Sequence, residues 1–151
     1  MRAVLQRVNH ASVFVGEKVC GAIGRGFLAL LGIGKEDGHS EVNWMAEKIL
    51  NLRVFPDEAG KMNRSLADVK GEILVVSQFT LYGDCSSGRR PGYSDAATPE
   101  NAKALYEACV EALRKSGLNV ETGIFQAHMK VSLENDGPVT FILDSKKSET
   151  G

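Results

Sequence analysis

Residues 73–76, Ile73-Leu74-Val75-Val76, form a continuous apolar run that stops abruptly at Ser77-Gln78-Phe79-Thr80-Leu81. A short apolar run with no polar residue alternating through it reads as a strand buried inside a core. Such a strand delivers two hydroxyls and an amide to one edge of that core. The rest of the chain has to be arranged around it.

The opening residues supply partners. Residues 4–8 and 11–15 read as short strands, Gly16-Glu17 as a break, and residues 26–33 as a second buried run, so a meander is expected. From Ser40 the period changes. Val42, Met45, Ala46 and Ile49 fall on one helical face and Glu41, Glu47 and Lys48 elsewhere, which predicts a helix ending near Asn51. Pro56-Asp57-Glu58-Ala59-Gly60 is a cluster of turn formers and predicts a hairpin or excursion before residue 73. A second helix is marked by Thr98 as cap, Pro99 at the first helical position, and a stripe of Ala102, Leu105, Tyr106, Cys109, Val110 and Leu113, with Gly117 at its end. Strands at 118–120, 129–133 and 139–143 follow. Many strands with two main helices make an α+β domain, expected over residues 1–144, with 145–151 as a flexible tail.

A chain of 151 residues buries roughly 68–70% of its unfolded surface in one domain. Its cysteines, Cys20, Cys85 and Cys109, show no C-x-x-C or Cys/His spacing, which argues against a disulfide framework and a zinc site and fits a reducing cytosol. The longest apolar run, residues 27–33, is far short of the ~20 residues that span a bilayer. A soluble, cytoplasmic protein without a membrane partner is expected. The formal net charge of −1 offers no global attraction to phosphates, so any nucleic-acid contact must be local. Candidates are Arg89-Arg90 with Lys61 and Arg64, and Lys146-Lys147; each pair by itself also reads as solvated surface.

A second motif, Asn135-Asp136-Gly137-Pro138-Val139-Thr140, places a Gly-Pro bond between two segments that read as strands. An X-Pro bond can be held cis at a cost of about 0.5–1 kcal/mol, leaving carbonyl oxygens in a fixed orientation. Asp136-Gly137 is also a hairpin signal, in which case the motif is a simple reversal. Against that, Pro138 cannot donate to a ladder and is an odd start to a paired strand.

The chemistry of the first motif is open at this level. Thr80 could attack an ester if a neighbouring base took its proton, yet no spacing ties His10, His39 or His128 to it. Ser77 and Thr80 could equally satisfy backbone groups at a strand end. Phe125, His128 and Met129 could line a cleft, though aromatic and Met side chains are more often core, and His128 alone reads more readily as a satisfied structural histidine. Cys85 reads as a surface thiol. No phosphate loop, dinucleotide fingerprint or carboxylate pattern for a metal is present, so no cofactor and no metal are expected.

With both motifs in hand, the chain resembles the D-aminoacyl-tRNA deacylases. The likeness extends through Leu5-Gln6-Arg7-Val8, Gly60-Lys61-Met62-Asn63, Arg90-Pro91 and Val131-Ser132-Leu133, and fades after about Asp144. One departure is Gly92-Tyr93, where many relatives carry Ser-Phe. The resemblance implies a homodimer of β-barrel-like subunits with an antiparallel sheet core. It also implies that Gly137-Pro138 of one subunit enters the pocket of the other and rejects L-aminoacyl groups with its backbone. Ser77, Gln78 and Thr80 are then catalytic-site residues, and Phe79, Phe125, Met129, Gly137 and Pro138 bind substrate. The implied partner is aminoacyl-tRNA, and the implied reaction is hydrolysis of the ester at its 3′ end, for D-amino acids and for glycine, assisted by the RNA's own 2′-hydroxyl. Two other readings compete: a tRNA-end binding module without turnover, and a hydrolase of another ester with Thr80 as nucleophile.

Overall fold

The computed structural model describes residues 1–146; residues 147–151, including Lys147 and most of the expected tail, lie outside it. Strand β1 (Arg2–Val15) turns at Gly16-Glu17 into β2 (Lys18–Ile23), and β3 (Gly26–Gly32) follows. Both pair antiparallel with β1, and one register runs from Ala11↔Ile23 straight into Val8↔Gly26 and Arg2↔Gly32. The expected meander is therefore a single long hairpin whose returning arm is interrupted at Gly24-Arg25. Residues 4–8 and 11–15 are one strand, and β8 (Lys130–Asp144) runs antiparallel along its other edge.

The sheet is mixed, which corrects the antiparallel expectation. Strand β6 (Glu72–Ser77) pairs parallel with β3, and β7 (Val120–Thr122) parallel with β6. Long connections allow this, because parallel neighbours need a crossover. The first crossover holds α1 (His39–Asn51), the small hairpin β4 (Phe55–Pro56) and β5 (Met62–Arg64), and α2 (Leu66–Val69); the second holds α3 (Pro99–Arg114). The sheet curls until its ends nearly meet. A Cβ at Gly21 of β2 would lie 2.8 Å from the Thr122 carbonyl oxygen of β7, so only glycine permits that approach.

Burial on both faces accounts for the apolar run in β6. Ile73 and Val75 pack with Phe27, Met45, Ile49 and Leu113 beneath the helices, whereas Leu74 and Val76 join Val8, Val13, Ile23 and Leu28 inside the barrel. Each such side chain contributes about 1.5–3 kcal/mol when fully buried. The helical faces are those the sequence predicts: Val42, Met45, Ala46 and Ile49 on α1, and Ala102, Tyr106, Cys109, Val110 and Leu113 on α3, are buried. Thr98 caps α3, its hydroxyl accepting from Asn101 N at 3.4 Å. Ser145, expected at the start of a tail, is buried, and its N–H donates to Met1 O at 2.9 Å.

Candidate active site

The first motif begins where β6 leaves the core. Its last sheet pair is Leu31↔Ser77, and Gln78 N then donates to Leu31 O at 2.8 Å, which carries the chain one residue further along β3. A 3₁₀ turn follows over Phe79–Tyr82, closed by Gly83 N to Thr80 O at 3.0 Å. Arg2 fastens this turn to the end of β8: its guanidinium donates to Leu81 O at 3.0 Å, pairs with Asp144 at 3.1 Å and lies 4.6 Å over the Tyr82 ring. The Tyr82 hydroxyl is buried without a partner among the described residues, and burial pushes its pKa up.

Beside the turn opens a cavity of about 860 Å³. It lies within the roughly 300–1,000 Å³ usual for ligand pockets. Ser77, Gln78, Phe79, Phe125, His128 and Met129 line it, so six of the residues singled out from the sequence share one cavity. Tyr93 lines it too. His128 is exposed on the wall, not the satisfied structural histidine its isolation in the sequence suggested. Tyr93 packs edge-on against Phe79, ring centroids 5.1 Å apart.

Thr80 is exposed and does not line the cavity; its hydroxyl accepts from the Gln78 side-chain amide. An amide NH₂ can only donate, so Gln78 orients the hydroxyl but cannot take its proton. Neither Gly137 nor Pro138 lines this cavity.

The second motif is not a junction between two strands, nor a reversal. Strand β8 passes through it unbroken, with Asn135 opposite Val8 and Thr140 opposite Gln6, so residues 136–139 bulge out opposite Arg7 alone. The Gly137-Pro138 peptide bond is cis. The Asn135 side chain closes the base of the bulge, accepting from Val139 N at 3.0 Å and donating to the Thr140 hydroxyl at 2.9 Å. Beneath it Arg7, 9% exposed, donates through Nη1 to Val54 O at 2.8 Å. Its Nε stands 3.2 Å from Asp136 Oδ2, close enough for an ion pair although the N–H is not aligned for a hydrogen bond. Gly137 itself has φ +131°, and a Cβ there would fall 2.6 Å from Val139 Cγ2. Gly137 and Pro138 are exposed at the tip.

Sequence reasoning missed Arg7, Asn135 and Thr140 as the supports of this bulge, and Tyr93 as a cavity wall. The only signal for the former was Asn135 and Thr140 bracketing the Gly-Pro pair.

The remaining candidates are dispersed. Arg89 and Arg90 are exposed on the 85–91 excursion, Arg64 pairs with Glu58 at 3.4 Å, and Lys146 pairs with Glu36 at 3.0 Å. His10 lies 3.6 Å from Glu134, and His39 begins α1. Cys85 is exposed and free, whereas burial pushes the Cys109 thiol up to about 12. Among the described residues no group of His, Cys, Asp and Glu could hold a metal ion, and no helix is long and apolar enough to cross a membrane.

Comparison with known proteins bears directly on this geometry. Residues 4–144 match the family model described as D-Tyr-tRNA(Tyr) deacylase. A D-aminoacyl-tRNA deacylase of Thermosipho melanesiensis is 63% identical over 148 residues, covering 97% of this chain and 99% of the relative. One from Thermotoga petrophila is 59% identical over 147 residues, covering 97% and 99%. Among solved structures, one titled c-Myc DNA Unwinding Element Binding Protein superposes with a TM-score of 0.90 at 48% identity, covering 96% of this chain and 99% of that one. A probable eukaryotic D-amino acid tRNA deacylase shares the fold, with a TM-score of 0.79 at 18% identity over 94% and 97% of the two chains.

Proposed function

This chain belongs to the D-Tyr-tRNA(Tyr) deacylase family, and on that premise we propose that it hydrolyses the ester joining a D-amino acid to the 3′ end of tRNA, sparing the L form. The observation that carries the reading is the cavity at the end of β6, walled by Ser77, Gln78, Phe79, Phe125 and Met129 and of a size for an aminoacylated nucleoside. In the reaction water adds to the ester carbonyl, the bond to the ribose oxygen breaks, and free amino acid and a 3′-hydroxyl leave. The neighbouring 2′-hydroxyl of the RNA assists the attack. Support for a substrate-borne assistant comes from Thr80, whose hydroxyl is held by an amide with no capacity to accept a proton.

Chirality is read by backbone. In the proposed homodimer the Gly137-Pro138 tip of one subunit enters the cavity of its partner, where its carbonyls meet the α-amino group and an L side chain would strike the wall. Each 1.4 kcal/mol of such a clash gives tenfold discrimination. Two features support this arrangement. The tip is exposed and does not line its own chain's cavity, and among the described residues β8 pairs with β1 alone and carries Ile142 at 76% exposure. Glycine, having no side chain to reject, is a second substrate. The unpaired cysteines are compatible with a cytoplasmic site of action.

The test is release of amino acid from matched D-tyrosyl-tRNA and L-tyrosyl-tRNA by the purified protein in the presence of a chelator. Hydrolysis of the D ester alone is expected, with glycyl-tRNA also cleaved. Cleavage of both tyrosyl esters would remove the backbone-selectivity argument, and cleavage of neither would leave a tRNA-end binding module.

A further inference from the structure

The loop that follows the 3₁₀ turn has a rigid neck and a free tip. At the neck Asp84 and Gly92 exchange backbone hydrogen bonds of 2.7 and 2.9 Å. Just beyond it, Ala96 N donates to Tyr93 O at 3.1 Å, and Lys35 N and Ala97 N form bonds of 2.9 and 3.0 Å that stitch residues 95–97 to the end of β3. Tyr93 is therefore pinned on both sides, and a Cβ at Gly83 would lie 3.2 Å from its ring. Residues 85–91 loop out from this neck and carry Arg89 and Arg90, both exposed and neither with an ion-pair, hydrogen-bond or ring partner among the described residues. That sets them apart from four of the other six arginines: Arg2, Arg7, Arg64 and Arg114 each face a carboxylate.

Two adjacent guanidiniums, unpaired among the described residues, thus lie three and four residues along the chain from Tyr93, which with Phe79 forms an exposed aromatic pair on the cavity wall, Phe79 at 57% and Tyr93 at 41% exposure. Arg90 is three residues from Tyr93, so their Cα atoms are no more than roughly 11 Å apart, and the side chain reaches further. Exposed aromatic faces beside unpaired cations are the combination that holds single-stranded nucleic acid, bases on the rings and phosphates on the cations. Arginine adds a planar fork that matches a phosphate bidentately.

We propose that Arg89 and Arg90 clamp the phosphates of the single-stranded 3′ end of the RNA, immediately upstream of the nucleoside in the cavity, with Phe79 and Tyr93 as the platform between clamp and cavity. This rests on the deacylase reading for the direction in which the strand enters. The clamp reads charge and strandedness, not sequence, and it acts on the RNA while leaving the ester to the cavity. A chain of net charge −1 needs such a local device, since its overall field does not attract RNA.

The experiment compares the wild type with the Arg89→Ala/Arg90→Ala and Arg89→Lys/Arg90→Lys double variants on two substrates, a D-aminoacyl-tRNA and the same D-amino acid esterified to adenosine alone. For the alanine variant the loss in kcat/KM, carried by KM, is expected to be at least tenfold larger on the tRNA ester than on the adenosine ester. The slope of log kcat/KM against log salt should fall by about 1.4, from about 0.7 per phosphate contact on a single strand. The lysine variant should restore most of that slope. Equal losses on both substrates, or none on tRNA, would overturn the clamp while leaving the deacylase reading in place.

Binding of uncharged tRNA provides the readout independent of hydrolysis. The alanine variant should weaken binding of intact tRNA and leave binding of tRNA trimmed of its 3′ single strand unchanged; equal weakening of both would overturn the proposal. A wild type that hydrolyses neither ester would sink the deacylase reading, and the two tRNA forms would still decide the clamp.

Discussion

Ser77 and Gly137 sit on strands of one sheet, but Ser77 ends β6, a strand buried on both faces, whereas Gly137 lies in the middle of β8, a strand that among the described residues is paired along one edge only. At the first site position follows from packing: Ile73, Leu74, Val75 and Val76 cannot shift without disturbing a core on either side. At the second it follows from a few polar contacts, those of Arg7 to Val54 and Asp136 and those of Asn135 to Val139 and Thr140. Packing spreads its contribution over many atoms, so no single polar side chain near Ser77 decides its place. The bulge concentrates its support in two side chains, and removing either should be felt at once.

The largest effect is expected at Arg7. In Arg7→Ala the Val54 carbonyl loses its buried donor and the half-exposed Asp136 carboxylate loses its ion-pair partner. The charge-assisted bond to the Val54 carbonyl is worth about 1.5–3 kcal/mol, and the ion pair with Asp136, 41% exposed, adds a smaller solvent-screened share, for about 3 kcal/mol in all. Urea unfolding should show the loss as a lower midpoint with an unchanged slope. The preference for the D ester should fall with it, because the Gly-Pro tip loses its floor. A stability change below about 1 kcal/mol would mean that the bulge is held by something other than this arginine, and the contrast between the two sites would collapse.

The same contrast explains what could be read from the sequence. Burial on both faces writes itself as an uninterrupted apolar run, and a one-sided helix as a 3.6-residue stripe, so β6, α1 and α3 were legible residue by residue. On β8, Val131 and Leu133 alternate with exposed Ser132 and Glu134 until Asn135, where the bulge interrupts the alternation and mimics a strand end. Register is a tertiary fact. Nothing local says that residues on both sides of Gly137-Pro138 pair with the same strand, or that an arginine near the chain's start lies under the bulge. The parallel pairing of β3 with β6 was hidden similarly, since a connection of that length could return in either direction. Tyr93 was passed over because its loop holds no periodic pattern, only the neck bonds of Asp84 and Gly92 that fold it back to the cavity.

Gly137→Ala sharpens the comparison from the backbone side. With φ at +131° and a Cβ position 2.6 Å from Val139 Cγ2, the alanine is strained whatever room is made, at about 2 kcal/mol. Removing the polar contacts of Asn135 should cost less. Asn135→Ala deletes two hydrogen bonds at a half-buried position, worth about 1.5 kcal/mol together with the unmet Val139 N–H. Thr140→Val, which loses only one of them, should fall below that, and denaturant midpoints in this order would establish Asn135 as the latch. The reverse order would make Thr140 the latch instead.

At the other site the smallest effect is expected, and it is the most discriminating. Thr80 is named by the same motif as Ser77, but its hydroxyl lies outside the cavity with the Gln78 amide as its partner. If that hydroxyl only steadies the 3₁₀ turn, Thr80→Ala should reduce kcat by less than about fivefold, roughly 1 kcal/mol. The turn keeps its backbone bond from Gly83 N to Thr80 O and its anchor through Arg2 to Leu81 O. A nucleophile would behave differently, since deleting a covalent catalyst of this kind costs on the order of a millionfold in kcat. Single-turnover rates on a D-aminoacyl-tRNA separate the two by five orders of magnitude. A modest loss with KM unchanged leaves the attack to water and the RNA's own hydroxyl, and makes the packed site the tolerant one and the bulge the fragile one.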